Sequence, residues 1–286
     1  MVPVTDHFLW DCPAAGFAWE EAEIVAPGTE GEGQLQRVLV ERPDPTPTFR
    51  RYNPFTGHPA LFRAFADLEP TEEAYAAFAS RYGRLGIRTV VRRNGALVFG
   101  EPLAIWRAEH AELRAVSHVL AAIQSGDAEL LKACFSIDDE GVRYARVDAD
   151  PAIAPPARSS VRRDWLWDWA GRAESPDEAV LRLARGWVHE QINDALAGRR
   201  LDGEPMTSAR LAFTASAGRM TIEVTPRSLL GALWLQCARV LTVNPTFRTC
   251  AHCGRLFEVA PGVRRRHARY CADRCKVAAH RARVSA

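Results

Sequence analysis

The sequence predicts an α+β protein: a predominantly helical body with two β-hairpins, followed by a small C-terminal finger. Three observations predict it. Apolar residues recur at helical spacing in several segments, most plainly from Pro102 to Ser125 and from Ser175 to Ala197. Two further segments, residues 88–99 and 209–224, alternate in polarity about a turn. Four of the seven cysteines fall in the last stretch, residues 247–286, as two close pairs.

With 286 residues, 47% hydrophobic and 25% charged, the chain can build a sizeable core and has room for two domains. Gly 19 and Pro 18 exclude collagen-like and low-complexity classes. Met1-Val2-Pro3-Val4-Thr5-Asp6 lacks the basic-then-apolar pattern of a secretory signal, and no apolar run is long enough to span a membrane. The expectation is a cytoplasmic protein whose thiols stay reduced. The predicted organisation is an N-terminal α+β region (1–147), a Pro-rich linker candidate (148–163), a helical region with a hairpin (164–246) and the finger (247–286).

Within residues 1–50 one element is readable. Gln34-Leu35-Gln36-Arg37-Val38-Leu39-Val40-Glu41 alternates as a strand before Pro43, Pro45 and Pro47 break regular structure. Ala60 to Leu68 suits a short helix. Thr71 is a natural N-cap for a helix from Glu72 to Tyr82: its hydroxyl accepts an orphan first-turn N–H, and Glu72 and Glu73 complement the helix dipole. Ala74, Tyr75, Phe78 and Tyr82 form that helix's inward stripe, and Gly83 ends it. Arg88 to Phe99 reads as a hairpin around Asn94-Gly95, a pair suited to two positive φ angles.

The Pro102–Ser125 helix turns Leu103, Trp106, His110, Leu113, Val116, Val119, Leu120 and Ile123 to one side, and Gly126 closes it. Asp127 caps a short successor reaching Cys134. His110 and His118 read as packed or surface residues, not as metal ligands. After Pro151, Pro155 and Pro156 come Trp165, Trp167 and Trp169, which read as core or inter-domain contacts. Ser175-Pro176-Asp177-Glu178 is a strong helix start, and that helix buries Val180, Leu183, Trp187, Ile192 and Leu196. A second hairpin, Ala209 to Val224, turns near Gly218. Leu229 to Leu241 is apolar nearly all round and therefore buried.

That helix leads almost directly into Thr249-Cys250-Ala251-His252-Cys253-Gly254 and, further on, Tyr270-Cys271-Ala272-Asp273-Arg274-Cys275-Lys276. The pattern is C-x2-C and C-x3-C, seventeen residues apart. Two close thiol pairs are the pattern of a tetrahedral four-cysteine zinc site, so Cys250, Cys253, Cys271 and Cys275 are the predicted ligands and Zn2+ the predicted cofactor. Gly254 permits a tight turn behind the first pair. Cys271 and Cys275, at i and i+4, present both sulfurs on one face of a helix. A turn pair plus a helix pair makes a treble-clef-like finger. Four thiolates close the coordination sphere and leave no place for water, so the metal's expected role is structural. Cys12, Cys134 and Cys237 are scattered and read as core or incidental residues. His252, His267 and His280 are not needed as ligands.

The net charge of +2 conceals an asymmetry. From Arg248 onward ten basic residues face only Glu258 and Asp273, a net of +8 that leaves −6 on the rest. Only Lys132 and Lys276 are lysines, which a GC-rich coding bias explains. A basic tail on a mildly acidic body points to a polyanion. The candidate nucleic-acid contacts are Arg264, Arg265, Arg266 and Arg269 in the loop, and Arg274, Lys276, Arg281 and Arg283 on the helix after the last cysteine. They suit phosphates; arginine also reads guanine, so residue type alone assigns no base readout. The alternative reading is a structural finger that docks a protein partner or a second copy of the chain.

The C-terminal segment resembles the CGNR-type zinc finger proteins, a family described as stress-linked transcription regulators. The resemblance rests on Cys250, Cys253-Gly254, Phe257, the Arg-rich approach Arg264 to Arg269, Tyr270-Cys271 and Cys275. It covers about the last seventh of the chain. The Gly-Asn-Arg that gives the family its name is absent; Lys276-Val277-Ala278 follows the last cysteine. The resemblance implies a mostly helical N-terminal region, a treble-clef-like finger and DNA as partner. An enzyme is not expected. The chain has no Gly-rich phosphate loop and no Gly-x-Ser-x-Gly elbow, and His189-Glu190 opens a His-Glu-x-x-His motif that Asn193 fails to complete.

Overall fold

The computed structural model describes residues 8–25, 33–138, 141–144, 160–161, 164–198, 205–214, 219–243, 246–253, 256–259 and 268–284. In chain order the first half runs β1 (Trp10–Pro13), β2 (Phe17–Ile24), β3 (Gln34–Glu41), β4 (Phe49–Tyr52), α1 (Pro54–Gly57), α2 (Leu61–Ala66), α3 (Glu72–Tyr82), β5 (Thr89–Arg93), β6 (Ala96–Pro102), α4 (Leu103–Ser125) and α5 (Ala128–Cys134). The second half runs β7 (Phe135–Asp138), β8 (Gly141–Tyr144), β9 (Ser160–Val161), α6 (Asp164–Gly171), α7 (Pro176–Leu196), β10 (Thr207–Thr214), β11 (Arg219–Pro226), α8 (Leu229–Val243), β12 (Thr246–Thr249), β13 (Leu256–Val259) and α9 (Asp273–Val284).

Both expected hairpins form, as β5–β6 and β10–β11. Asn94 at φ 49° and Gly95 at φ 82° make the first turn. The second turn, near Gly218, lies outside the described residues. There is more strand than expected. β2, β3, β6 and β5 close into a four-stranded barrel, which packs Ala22, Val38, Val40 and Val91 inside it. β1 pairs with β4, and β7 and β9 flank β8. Most of the 148–163 linker candidate lies outside the described residues, but its Val161 pairs with Val142 of β8.

α4 is the axis of the body. It packs on α2, α5, α7 and α8. The main core gathers Trp106, Leu113 and Val116 of α4 with Trp187 of α7 and Trp234 of α8, so residues on both sides of the 148–163 segment share it. Trp167 and Trp169 lie half-buried against the same core. His110 is buried as expected: one imidazole nitrogen meets the Tyr75 hydroxyl at 2.9 Å and the other the Ala66 carbonyl at 3.2 Å. Glu101 fastens the chain between α3 and β5. Its buried carboxylate accepts the N–H groups of Leu85, Gly86 and Ile87 and the indole N–H of Trp106. Among the described residues no helix is long and apolar enough to cross a membrane.

Candidate metal centre

β12 and β13 form an antiparallel hairpin in which Thr246 faces Val259 and Thr249 faces Leu256. Cys250 and Cys253 stand where the chain leaves β12. The Ala251 N–H donates to the Arg269 carbonyl at 2.9 Å, which holds this first turn against the strand of chain that brings in Cys271. α9 begins at Asp273, so Cys271 precedes the helix and only Cys275 lies in its first turn. This corrects the expectation of two cysteines one turn apart on a helix. The bend at Cys271 and Ala272 still aims both sulfurs inward, with the Cys275 N–H on the Ala272 carbonyl at 3.0 Å. Cys250, Cys271 and Cys275 are buried with Phe257 and Val259; Cys253 is exposed.

The four Sγ atoms all lie within 4.8 Å of one another. The Cys253–Cys271, Cys271–Cys275 and Cys275–Cys253 separations are 3.5, 3.6 and 3.8 Å. A tetrahedron with metal–sulfur bonds of about 2.3 Å has edges of about 3.8 Å. The arrangement therefore suits one metal ion, zinc included, at its centre. Burial pushes the Cys250 thiol up, but the N–H groups of Cys253, Cys271 and His252 outweigh it and hold that thiol down at about 6. Desolvation and the neighbouring Cys271 and Cys253 sulfurs push Cys275 up to about 12. Cys250 therefore ionises readily, while Cys275 resists a negative charge beside its neighbours, a resistance that a cation at the centre would offset.

The finger is fastened to the body. The Arg239 guanidinium on α8 reaches the buried Glu258 carboxylate of β13 at 3.0 Å. Arg63 of α2 lies over the Phe247 ring at 5.1 Å. Between finger and body opens a cleft of about 540 Å3, lined by Arg50, Arg81 and His58 on one side and His252, Arg274 and Cys275 on the other. No carboxylate lines it among the described residues. Arg50 donates to the Arg81 carbonyl, and the Arg81 guanidinium lies over the Tyr82 ring at 5.2 Å.

Of the predicted basic contacts, Arg269, Arg274, Lys276 and Arg281 are exposed. Arg269, Arg274 and Lys276 form no ion pair among the described residues. Arg283 lies in α9, and Arg264, Arg265 and Arg266 lie outside the described residues. Arg50 and Arg81 carried no sequence signal, because only the tertiary fold brings them to Arg274. Fold and site together define a mixed helix–strand protein with four C-terminal cysteines positioned to hold a metal ion. No family model, no curated protein and no solved structure matches the chain.

Proposed function

We propose that Cys250, Cys253, Cys271 and Cys275 hold zinc, and that the finger so formed binds DNA as part of a transcriptional regulator. The observation that carries this reading is the run of exposed cations that begins directly at the metal ligands: Arg269 before Cys271, then Arg274, Lys276 and Arg281 beyond it. A closed metal site does no chemistry on a substrate; it fixes the angle at which α9 leaves the finger. Guanidinium and ammonium groups on such a helix neutralise phosphates and release counterions. Arg50 and Arg81 extend the cationic surface onto the body, so a duplex backbone lying along α9 would meet both parts of the protein. Cytoplasmic location accords with the reduced thiols this reading needs.

Electrophoretic mobility shifts on duplex DNA, run across a salt series, test it. Wild type should bind with affinity that falls as salt rises. The combined Arg269→Ala, Arg274→Ala and Lys276→Ala variant should bind more weakly and show a salt slope shallower by about 3. Absence of a salt-dependent shift with wild type would remove DNA as partner and leave the finger as a protein-docking element; equal binding by both proteins would overturn the assignment of Arg269, Arg274 and Lys276 as its phosphate contacts.

A further inference from the structure

A second cavity lies in the body, away from the finger's cations. α4, α6, α7 and α8 line a solvent-open cleft of about 950 Å3. Its walls are Leu120 and Ile123 of α4, Val240 and Leu241 of α8, and the Trp169 ring of α6. The Trp169 wall is held in place: Arg182 donates to its carbonyl at 2.7 Å and lies over its ring at 5.8 Å. Size, apolar lining and a position between helices are the features of a small-molecule site. At its rim stands Arg185 of α7, exposed and without an ion pair or hydrogen bond among the described residues. No carboxylate lines the cavity among the described residues. His189, one turn along α7, lines the same rim and engages Asn193 and Glu190.

We propose that this cavity binds a small amphipathic anion, with an apolar skeleton among the four helices and an acidic head on Arg185. An apolar interior favours the hydrocarbon by burial alone, and the positive charge of Arg185 at the mouth selects for a negative head over a neutral or cationic one. The cavity stands independently of what the finger binds. Val240 directly follows Arg239, the residue that grips Glu258 of the finger, so the occupant would touch the turn of α8 from which the finger is hung.

Calorimetric titration of the full chain with decanoate and with decanol, both below micellar concentration, tests the site. Decanoate should bind saturably, one per chain, and more tightly than decanol. Arg185→Gln, a surface change that leaves the core alone, should weaken decanoate about threefold to fivefold and leave decanol unchanged. Ile123→Trp, which fills the space, should weaken both, with far-UV circular dichroism verifying the fold of each variant. Absence of decanoate binding to wild type would overturn the proposal, as would equal decanoate affinity in wild type and Arg185→Gln. If Ile123→Trp does not fold, the Arg185→Gln comparison decides alone.

Discussion

At the scale of single residues, His110 couples the fold to pH. Its Nε2–H donates to the Ala66 carbonyl, which leaves Nδ1 to accept the Tyr75 hydroxyl; a neutral ring satisfies both. Burial holds its pKa down at about 4, against an ordinary value of 6.5. The unfolded chain therefore takes up a proton at a pH where the folded one does not. Stability from this residue is full above pH 6.5 and is lost as pH falls through 4. The loss approaches about 3 kcal/mol. Urea unfolding at pH 7 and pH 4.5 should show this decline in wild type and a smaller one in His110→Gln; parallel declines would assign the acid sensitivity to other groups.

At the scale of elements, the helix ends were legible because their signals are local. Ser175 is a case: its hydroxyl accepts the Glu178 N–H at 3.2 Å, and Pro176 opens α7 behind it. Ser175→Ala should cost about 1 kcal/mol in a thermal or urea melt, while metal content stays the same. Thr71, Asp127 and the Asn94-Gly95 turn were legible on the same grounds. β2 was not. Its Trp19-Glu20-Glu21-Ala22-Glu23 stretch is too acidic to announce a strand, and it becomes one because β3 and β5 pair with it on either side. Closure of the barrel is likewise a non-local event that periodicity does not record. In the finger, the C-x2-C and C-x3-C spacings identified the four sulfurs directly. The start of α9 at Asp273 was misread by two residues, since i and i+4 spacing fits a bend followed by a first turn as well as it fits a helix.

At the scale of the whole molecule, body and finger have unequal means of holding themselves together. The body has a core centred on Trp106, Trp187 and Trp234. Among the described residues the finger has Phe257 and Val259 with its cysteines, and Ala268, Tyr270 and Ala272 half-buried against them, too little apolar material to order itself. Treatment with a strong chelator should therefore abolish hydrogen-exchange protection across β12, β13 and α9 and leave that of α4, α7 and α8 near its starting level. Arg239→Ala separates attachment from metal binding. It strands the buried Glu258 carboxylate, costing about 1–3 kcal/mol in finger protection, while the bound metal is retained. Loss of metal in that variant would mean that the body helps to hold the ion.

Everything proposed for the finger depends on one ion shared by four sulfurs. X-ray absorption at the zinc edge of the purified protein measures that directly. The proposal predicts one zinc per chain with four sulfur neighbours at about 2.3 Å. A protein purified without zinc, or a shell containing nitrogen or oxygen in place of a sulfur, would contradict it.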